Sequence, residues 1–289
     1  MRKSGLKAIE RFMNAFFLVC GIAALVFIIV ITAFLLVSGI PAIKEIGIVK
    51  FILGEVWKPT AAEPMYGILP FISTSVIGTF GAILIGVPIG VLSAIYIARE
   101  APRKCGIALK SAVELLAGIP SVVYGLVGMI VIVPMVRKIF NIPDGANLFS
   151  AIIVLAIMIL PSVISVSETA INAVPKEYEE GSLALGATKT ETTFKIIVPA
   201  AKSGIMTSIV LGIGRAIGEA MAVMMVSGNA ANMPKLFGSV RFLTTAVASE
   251  MSYSSGLQRK ALFSIALVLF IFILIINLVL NFGIKEKKR

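Results

Sequence analysis

An arginine and a glutamate four residues apart, Arg215 and Glu219, stand inside an otherwise uncharged apolar stretch of this 289-residue chain. The stretch reads Gly-Ile-Met-Thr-Ser-Ile-Val-Leu-Gly-Ile-Gly-Arg215-Ala-Ile-Gly-Glu219-Ala-Met-Ala-Val. An arginine at mid-membrane depth costs from about 2.5 to well over 10 kcal/mol, so it must face a bundle interior or a wet cavity. The i,i+4 spacing puts Glu219 on the same helix face, where the two can pair. Guanidinium is permanently charged, and its fork matches the oxygens of an oxyanion, which suits an anion pathway. Glu219 would hold the arginine when no anion is present and keep the grip weak enough for passage. A purely structural ion pair is the competing reading. Gly214 and Gly218 form a GxxxG that permits close helix packing beside the charges.

Composition sets what must position such a pair. The chain is 58% hydrophobic and 14% charged, with a mean hydropathy of +1.02. Ordinary soluble domains are about 45–50% apolar and about 25% charged, so a cytosolic enzyme, a disordered chain and a fibrous one are excluded. There is no histidine, and Cys20 and Cys105 lack metal-ligand spacing, so no metal site, cofactor or catalytic residue is expected. The neighbourhoods of the two cysteines also argue against a disulfide. The chain has no Gly-x4-Gly-Lys-Ser/Thr phosphate loop and therefore no ATPase motif of its own.

Apolar stretches of bilayer length number six: 12–43, 64–98, roughly 112–136 with Glu114 near its start, 145–167, roughly 203–226 with Arg215 and Glu219 inside it, and 261–284. The first has a basic flank, but its apolar core far exceeds a signal-peptide h-region of roughly 7–15 residues, so it is read as a retained span. With the N-terminus inside, the inner segments carry 16 of the 26 Lys and Arg and the outer segments 9. That bias predicts cytoplasmic termini. It also explains the net charge of +11 without nucleic acid. The fold class expected is an all-α polytopic membrane protein surrounded by lipid.

The inner segment 168–202 is too long for a simple helix connection. Pro175 suits a helix first turn, and Glu177, Glu179 and Glu180 favour its positive end. Gly186 fits a C-cap, and Thr188-Lys-Thr-Glu191 has capping-box spacing for a second helix that Pro199 ends. Small residues at Gly181, Ser182 and Ala184 let another surface approach closely. Tyr178 and Leu185 can anchor it from one face. A well-capped hairpin with no partner is the bland alternative.

Here the residues carry a resemblance. Glu180-Gly181-Ser182-x3-Gly186-x9-Ile196-x-Val198-Pro199 is similar to the Glu-Ala-Ala signature of ABC importer permeases, with small and apolar replacements and intact spacing. The run from Gly212 through Arg215 and Glu219 to Asn229 resembles the penultimate span of the permeases of the phosphate-specific ABC importer, with Ala220 where that family has threonine. Trp57-Lys-Pro59 with Tyr66-Gly-Ile-Leu-Pro-Phe-Ile, Leu116-Ala-Gly-Ile-Pro120-Ser-Val-Val-Tyr-Gly125 and Leu185-Gly-Ala-Thr188 agree. The Trp-x-Pro and Gly-Glu-x-Met-Ala-Val runs favour one of that importer's two permease types over the other. The resemblance implies a type I (MetI-like) core of five helices in 64–289, preceded by an N-terminal segment, first span and outer loop in 1–63. It implies that 168–202 docks on an ATPase subunit through Tyr178, Glu180, Gly181, Ser182, Leu185, Gly186 and Pro199. It further implies a substrate path past Arg215 and Glu219, a second permease, two ATPase subunits, an external phosphate-binding protein and a cell-membrane location.

The rival class, an ion-gradient-driven transporter, would need coupling carboxylates near the midplane, and Glu219 is the one deep acid. Pro120 and Pro161 share an apolar-Pro-Ser-Val setting and are read as packing geometry, and Glu114 as a solvated interfacial residue. The segment 41–63 with Trp57 is a candidate docking surface. Lys235, Arg241, Arg259 and Lys260 could draw an anion toward a pore.

Overall fold

The computed structural model describes the backbone of residues 2–285 and the side-chain surroundings of residues 10–279. The terminal basic clusters that enter the charge bias, apart from Arg11, therefore lie outside the described side chains. Helix α1 (Arg2–Ile46) is followed by a short α2 (Ile48–Leu53). A two-stranded antiparallel hairpin then pairs β1 (Trp57–Lys58) with β2 (Met65–Tyr66), a small departure from the expected all-α chain. Helix α3 (Leu69–Ile95) ends in a π turn, Tyr96–Glu100, and α4 (Arg103–Ala117) follows. Next come α5 (Ser121–Val127), a π turn Gly128–Ile132 and α6 (Val133–Phe140), then the long α7 (Leu148–Asn172). Helices α8 (Lys176–Ala184), α9 (Lys189–Thr192), a π turn Thr193–Ile197 and α10 (Val198–Ala200) form the next connection. Helices α11 (Lys202–Gly218), α12 (Met221–Val226), α13 (Leu243–Glu250) and α14 (Gly256–Lys285) complete the described chain.

Five of these helices, or runs of them, are long and apolar enough to cross a membrane. A sixth crossing needs α11, which bends 68° away from the helix before it. Three spans differ from the sequence expectation. The second begins at Leu69, because residues 57–66 are taken by the hairpin. The third is Ser121–Phe140, because the chain breaks at Gly118-Ile119-Pro120 and residues 112–117 belong to α4. The fifth stops at Gly218 and resumes as α12.

Helix α7 is the axis of the bundle, with Leu155, Met158, Ile159 and Val163 fully buried. Its neighbour α3 turns glycines toward it. A Cβ at Gly86 or Gly90 would come within 2.8 Å of Ile159 or Val163, so only hydrogen allows this spacing. Near 45 residues and about 1.5 Å per residue, α1 is about twice the length a bilayer requires. Its apolar side chains from Phe12 to Ile31 are almost all exposed, as lipid-facing groups are. It meets the bundle near its end, where Phe34 stacks edge-on to Phe263 and Ser264 donates to the Gly39 carbonyl.

Candidate functional site

Arg215 is half-buried on α11, and its Nη1 donates to Ser162 Oγ of α7 at 3.2 Å. The expected partner is elsewhere. Helix α11 ends at Gly218, and Glu219 is extended, with φ −72° and ψ 129°. Its carboxylate accepts the Ala222 N–H at 2.8 Å, and its carbonyl accepts the Thr244 hydroxyl at 2.7 Å. The four salt bridges among the described residues do not include Arg215 or Glu219. The correction has a local cause. An acid at this spacing can serve an i−4 guanidinium or the unpaired N–H groups that open the next helix, and the break at Gly218 favours the second. Arg215 is left with a neutral hydroxyl partner. Gly214 and Gly218 also depart from expectation: a Cβ at either would meet nothing within 4 Å, so among the described residues the GxxxG packs against no helix.

The connection between α7 and α11 folds by its own caps. Pro175 is the N-cap residue of α8, one position before the predicted first turn, and Glu177 and Glu179 lie in that turn. Gly186 adopts φ +86°, a left-handed conformation that glycine takes freely. Its N–H bonds the Leu183 carbonyl and the Ala187 N–H bonds the Ser182 carbonyl, the two bonds of a Schellman end. Thr188 and Glu191 then cap each other reciprocally, at 3.2 and 3.1 Å. The backbone N–H of Thr188 and the Lys195 ammonium hold the Glu191 carboxyl down to about 2. Pro199 does not end the second helix. The π turn Thr193–Ile197 shifts the hydrogen-bond register ahead of it, so the ring sits in the first turn of α10 and the helix runs on to Ala200.

This unit presents a surface. Leu185 is 91% exposed and Tyr178 55%, and Glu180 and Gly181 are exposed too. A Cβ at Gly181 would meet nothing, while Ser182 bonds Thr192 at 2.9 Å and ties α8 to α9. A groove of about 370 Å³ runs beneath it between Tyr178, Val174, Ala170 and Gly204.

At the opposite end of the bundle, two expectations are corrected. Trp57 is buried, and its Nε1 donates to the Glu250 carboxylate at 3.2–3.3 Å, so it is no surface anchor. Arg241 is not free to attract an anion, because it pairs with Glu250, donates to the Asn229 carbonyl and lies over the Phe71 ring. Glu250 also accepts from Gln258 at 3.0 Å. Lys235, Arg259, Lys260 and Glu114 are exposed, as read from the sequence. The sequence reading misses Ser162, Arg99 and Glu250. A hydroxyl beside Pro161 in an apolar span was the one available signal for the first; the others pair across long separations.

The model for binding-protein-dependent transport system inner membrane components matches residues 86–285. A probable ABC transporter permease protein, YqgH of Bacillus subtilis, is 40% identical over 89% of this chain and 86% of its own. The phosphate transport system permease protein PstC of Haemophilus influenzae is 35% identical over 86% of this chain and 85% of its own. Among solved structures, the bacterial alginate ABC transporter in complex with its pentasaccharide-bound periplasmic protein superposes with a TM-score of 0.62 at 16% identity, covering 98% of this chain and 96% of that one. The MetNI methionine transporter in inward-facing conformations gives 0.57 at 20% identity, over 77% and 95%.

Proposed function

This chain belongs to the family of binding-protein-dependent transport permeases, and from that premise we propose that it is the PstC-type permease subunit of an ATP-driven inorganic phosphate importer. The observation that carries the reading is Arg215: a half-buried guanidinium in mid-span, bonded to one hydroxyl and to no carboxylate among the described residues. Its remaining N–H groups are available to a tetrahedral oxyanion, which fits their fork. Glu219 acts beside it by fixing the α11–α12 break, so that backbone and arginine face the path together. A permease for another oxyanion is the alternative that the same fork allows.

The partners in this reading are a PstA-like second permease, two PstB-like ATPases and a PstS-like external phosphate-binding protein. Both termini lie in the cytoplasm, and ATP hydrolysis belongs to the partners. Tyr178, Glu180, Gly181, Ser182, Leu185 and Gly186 dock on the ATPase, and Pro199 lies on the helix that hands its displacement to α11. ATP binding closes the ATPases and swings α8–α10. The 68° bend before α11 converts that swing into movement of Arg215 past Ser162.

The test is ATP-driven phosphate uptake by the four-component complex in proteoliposomes with the proton gradient collapsed. Arg215→Gln should lower uptake roughly 10- to 100-fold, the effect of removing a charged hydrogen bond. Its membrane level should stay normal, since glutamine costs less in the bilayer than arginine. Wild-type uptake by the variant would make Arg215 structural. Uptake of a different oxyanion in place of phosphate would select the alternative.

A further inference from the structure

Arg99 stands where α3 ends, in the π turn Tyr96–Glu100. Its Nη1 donates to Glu179 Oε2 on α8 at 2.7 Å, and its Nη2 to the Ile171 carbonyl in the last turn of α7 at 2.8 Å. The arginine side chain is 16% exposed and that of Glu179 38%. Among the described residues this is the one salt bridge between α8 and the bundle. A planar guanidinium can hold two acceptors at a fixed angle, and a cation is favoured at a helix C-terminus. Nε is buried without a hydrogen-bond partner, so this arrangement keeps an arginine where its hydrogen bonding is incomplete.

Chain connectivity already ties the α8–α10 unit to α7 at one end and to α11 at the other. Helix α3 has no such tie, although it packs along the full length of α7 through its glycines. We infer that Arg99 is a positioning residue for coupling: it makes α3 travel with α8, so that α3, α7 and α11 move as one body. The inference rests on the importer reading above. One apolar cluster holds Ile197 and Ala201 of the α8–α10 connection with Ala94 and Ile95 of α3, and Arg99 adds the directional contact to α8 itself; without it, displacement of α8 would reach α3 only through that packing and through α7.

In the complete importer in proteoliposomes, Arg99→Gln should leave basal ATP hydrolysis unchanged and lower the phosphate moved per ATP roughly three- to thirtyfold, the range over which residues off the binding sites alter coupling. Glu179→Gln removes one of the two arms and should act in the same direction, less strongly. An unchanged ratio in both variants overturns the inference. A wild-type complex that moves no phosphate overturns the importer reading instead, and a second measurement then judges Arg99 alone. Spin labels at Glu100→Cys and Lys176→Cys, with Cys20→Ser and Cys105→Ser, report the α3–α8 distance with and without trapped nucleotide. With Arg99 present the distance should be narrow and independent of nucleotide; with Arg99→Gln it should broaden and change with nucleotide. Identical narrow distributions in both overturn the inference. If Arg99→Gln fails to insert, Arg99→Lys, which keeps the charge and loses the two-acceptor fork, takes its place in both measurements with the same expectations.

Discussion

Residues 168–202 and 227–260 join long helices at opposite ends of one bundle, and each contains a glycine at positive φ, Gly186 at +86° and Gly228 at +80°. Their surroundings differ. A Cβ at Gly186 would meet nothing within 4 Å, whereas one at Gly228 would lie 2.8 Å from the Ala146 carbonyl and collide with Ser239. In the first loop α8 has no buried residue and is held by its caps and one arginine, leaving Tyr178 and Leu185 in the open, while Ile197 and Ala201 anchor the far end of the loop in an apolar cluster with α3 and α7. The second is folded onto the bundle by Glu250, which joins Arg241 and Gln258 of the loop itself to Trp57 of β1, and by the Leu243 N–H, which donates to Ser75 of α3. A surface built from local bonds can be displaced as a unit without disturbing the core. One built from distant partners is part of the core. That is the division of labour expected of a movable docking element and a fixed cover.

The sharpest way to break this comparison is to treat the two glycines alike. Gly228→Ala combines left-handed strain with a backbone overlap and should cost roughly 2–4 kcal/mol, visible as a lower membrane level and thermal midpoint. Gly186→Ala carries the strain alone, about 1 kcal/mol, and should insert normally. Gly186→Val adds a β-branched side chain at the turn between α8 and α9 and should abolish transport-coupled ATP hydrolysis with insertion intact. Equal losses of folding at the two positions would erase the distinction.

Glu250→Ala comes next. The side chain is 12% exposed, and its removal leaves Arg241 with the Asn229 carbonyl but no counter-charge, and the Trp57 N–H without an acceptor. Breaking a buried pair from one side costs about 3–5 kcal/mol, and the lower figure fits a site near the bundle's end. Hydrogen exchange should quicken across 227–260 and stay unchanged across 176–200. Faster exchange in both loops would show that they fold as one unit.

The same contrast explains what the sequence made legible. Gly186, Thr188 and Glu191 act within a few residues of one another, so their types and spacing already specify the caps. Five crossings follow from apolar length, and a sixth only if the bent α11 segment is counted. The contacts of Trp57 with Glu250 and of Arg215 with Ser162 join residues 193 and 53 positions apart, and no local pattern announces them. Pro120 and Pro161 show how packing decides between identical settings. Pro161 is buried in α7, where neighbours on every side keep the helix continuous through it. Pro120 is exposed, nothing compensates its missing N–H, and the chain breaks there. The Arg215–Glu219 pair failed for a subtler reason: both possible partners of Glu219 are local, and helix spacing predicts only one of them.

The smallest expected effect tests whether the exposed loop truly depends on its own caps. Thr188→Ala removes the acceptor for the Glu191 N–H and should cost about 1 kcal/mol of local helix stability. Exchange at 189–200 should quicken, with 227–260 unaffected. The partner carboxyl adds a pH signature. Glu191 titrates near 2 in the folded loop against an ordinary value of 4.5, because the Thr188 N–H and Lys195 bind its charged form. Its contribution is therefore complete above about 4.5 and fades as the pH falls toward 2. Lowering the pH from 5 to 3 should speed exchange at 189–200 in the native chain more than in Glu191→Gln, which has no charge to lose. An equal response in the two chains would mean that the capping box forms without holding the loop, and that Arg99 and the apolar packing of Ile197 and Ala201 set the position of its exposed face.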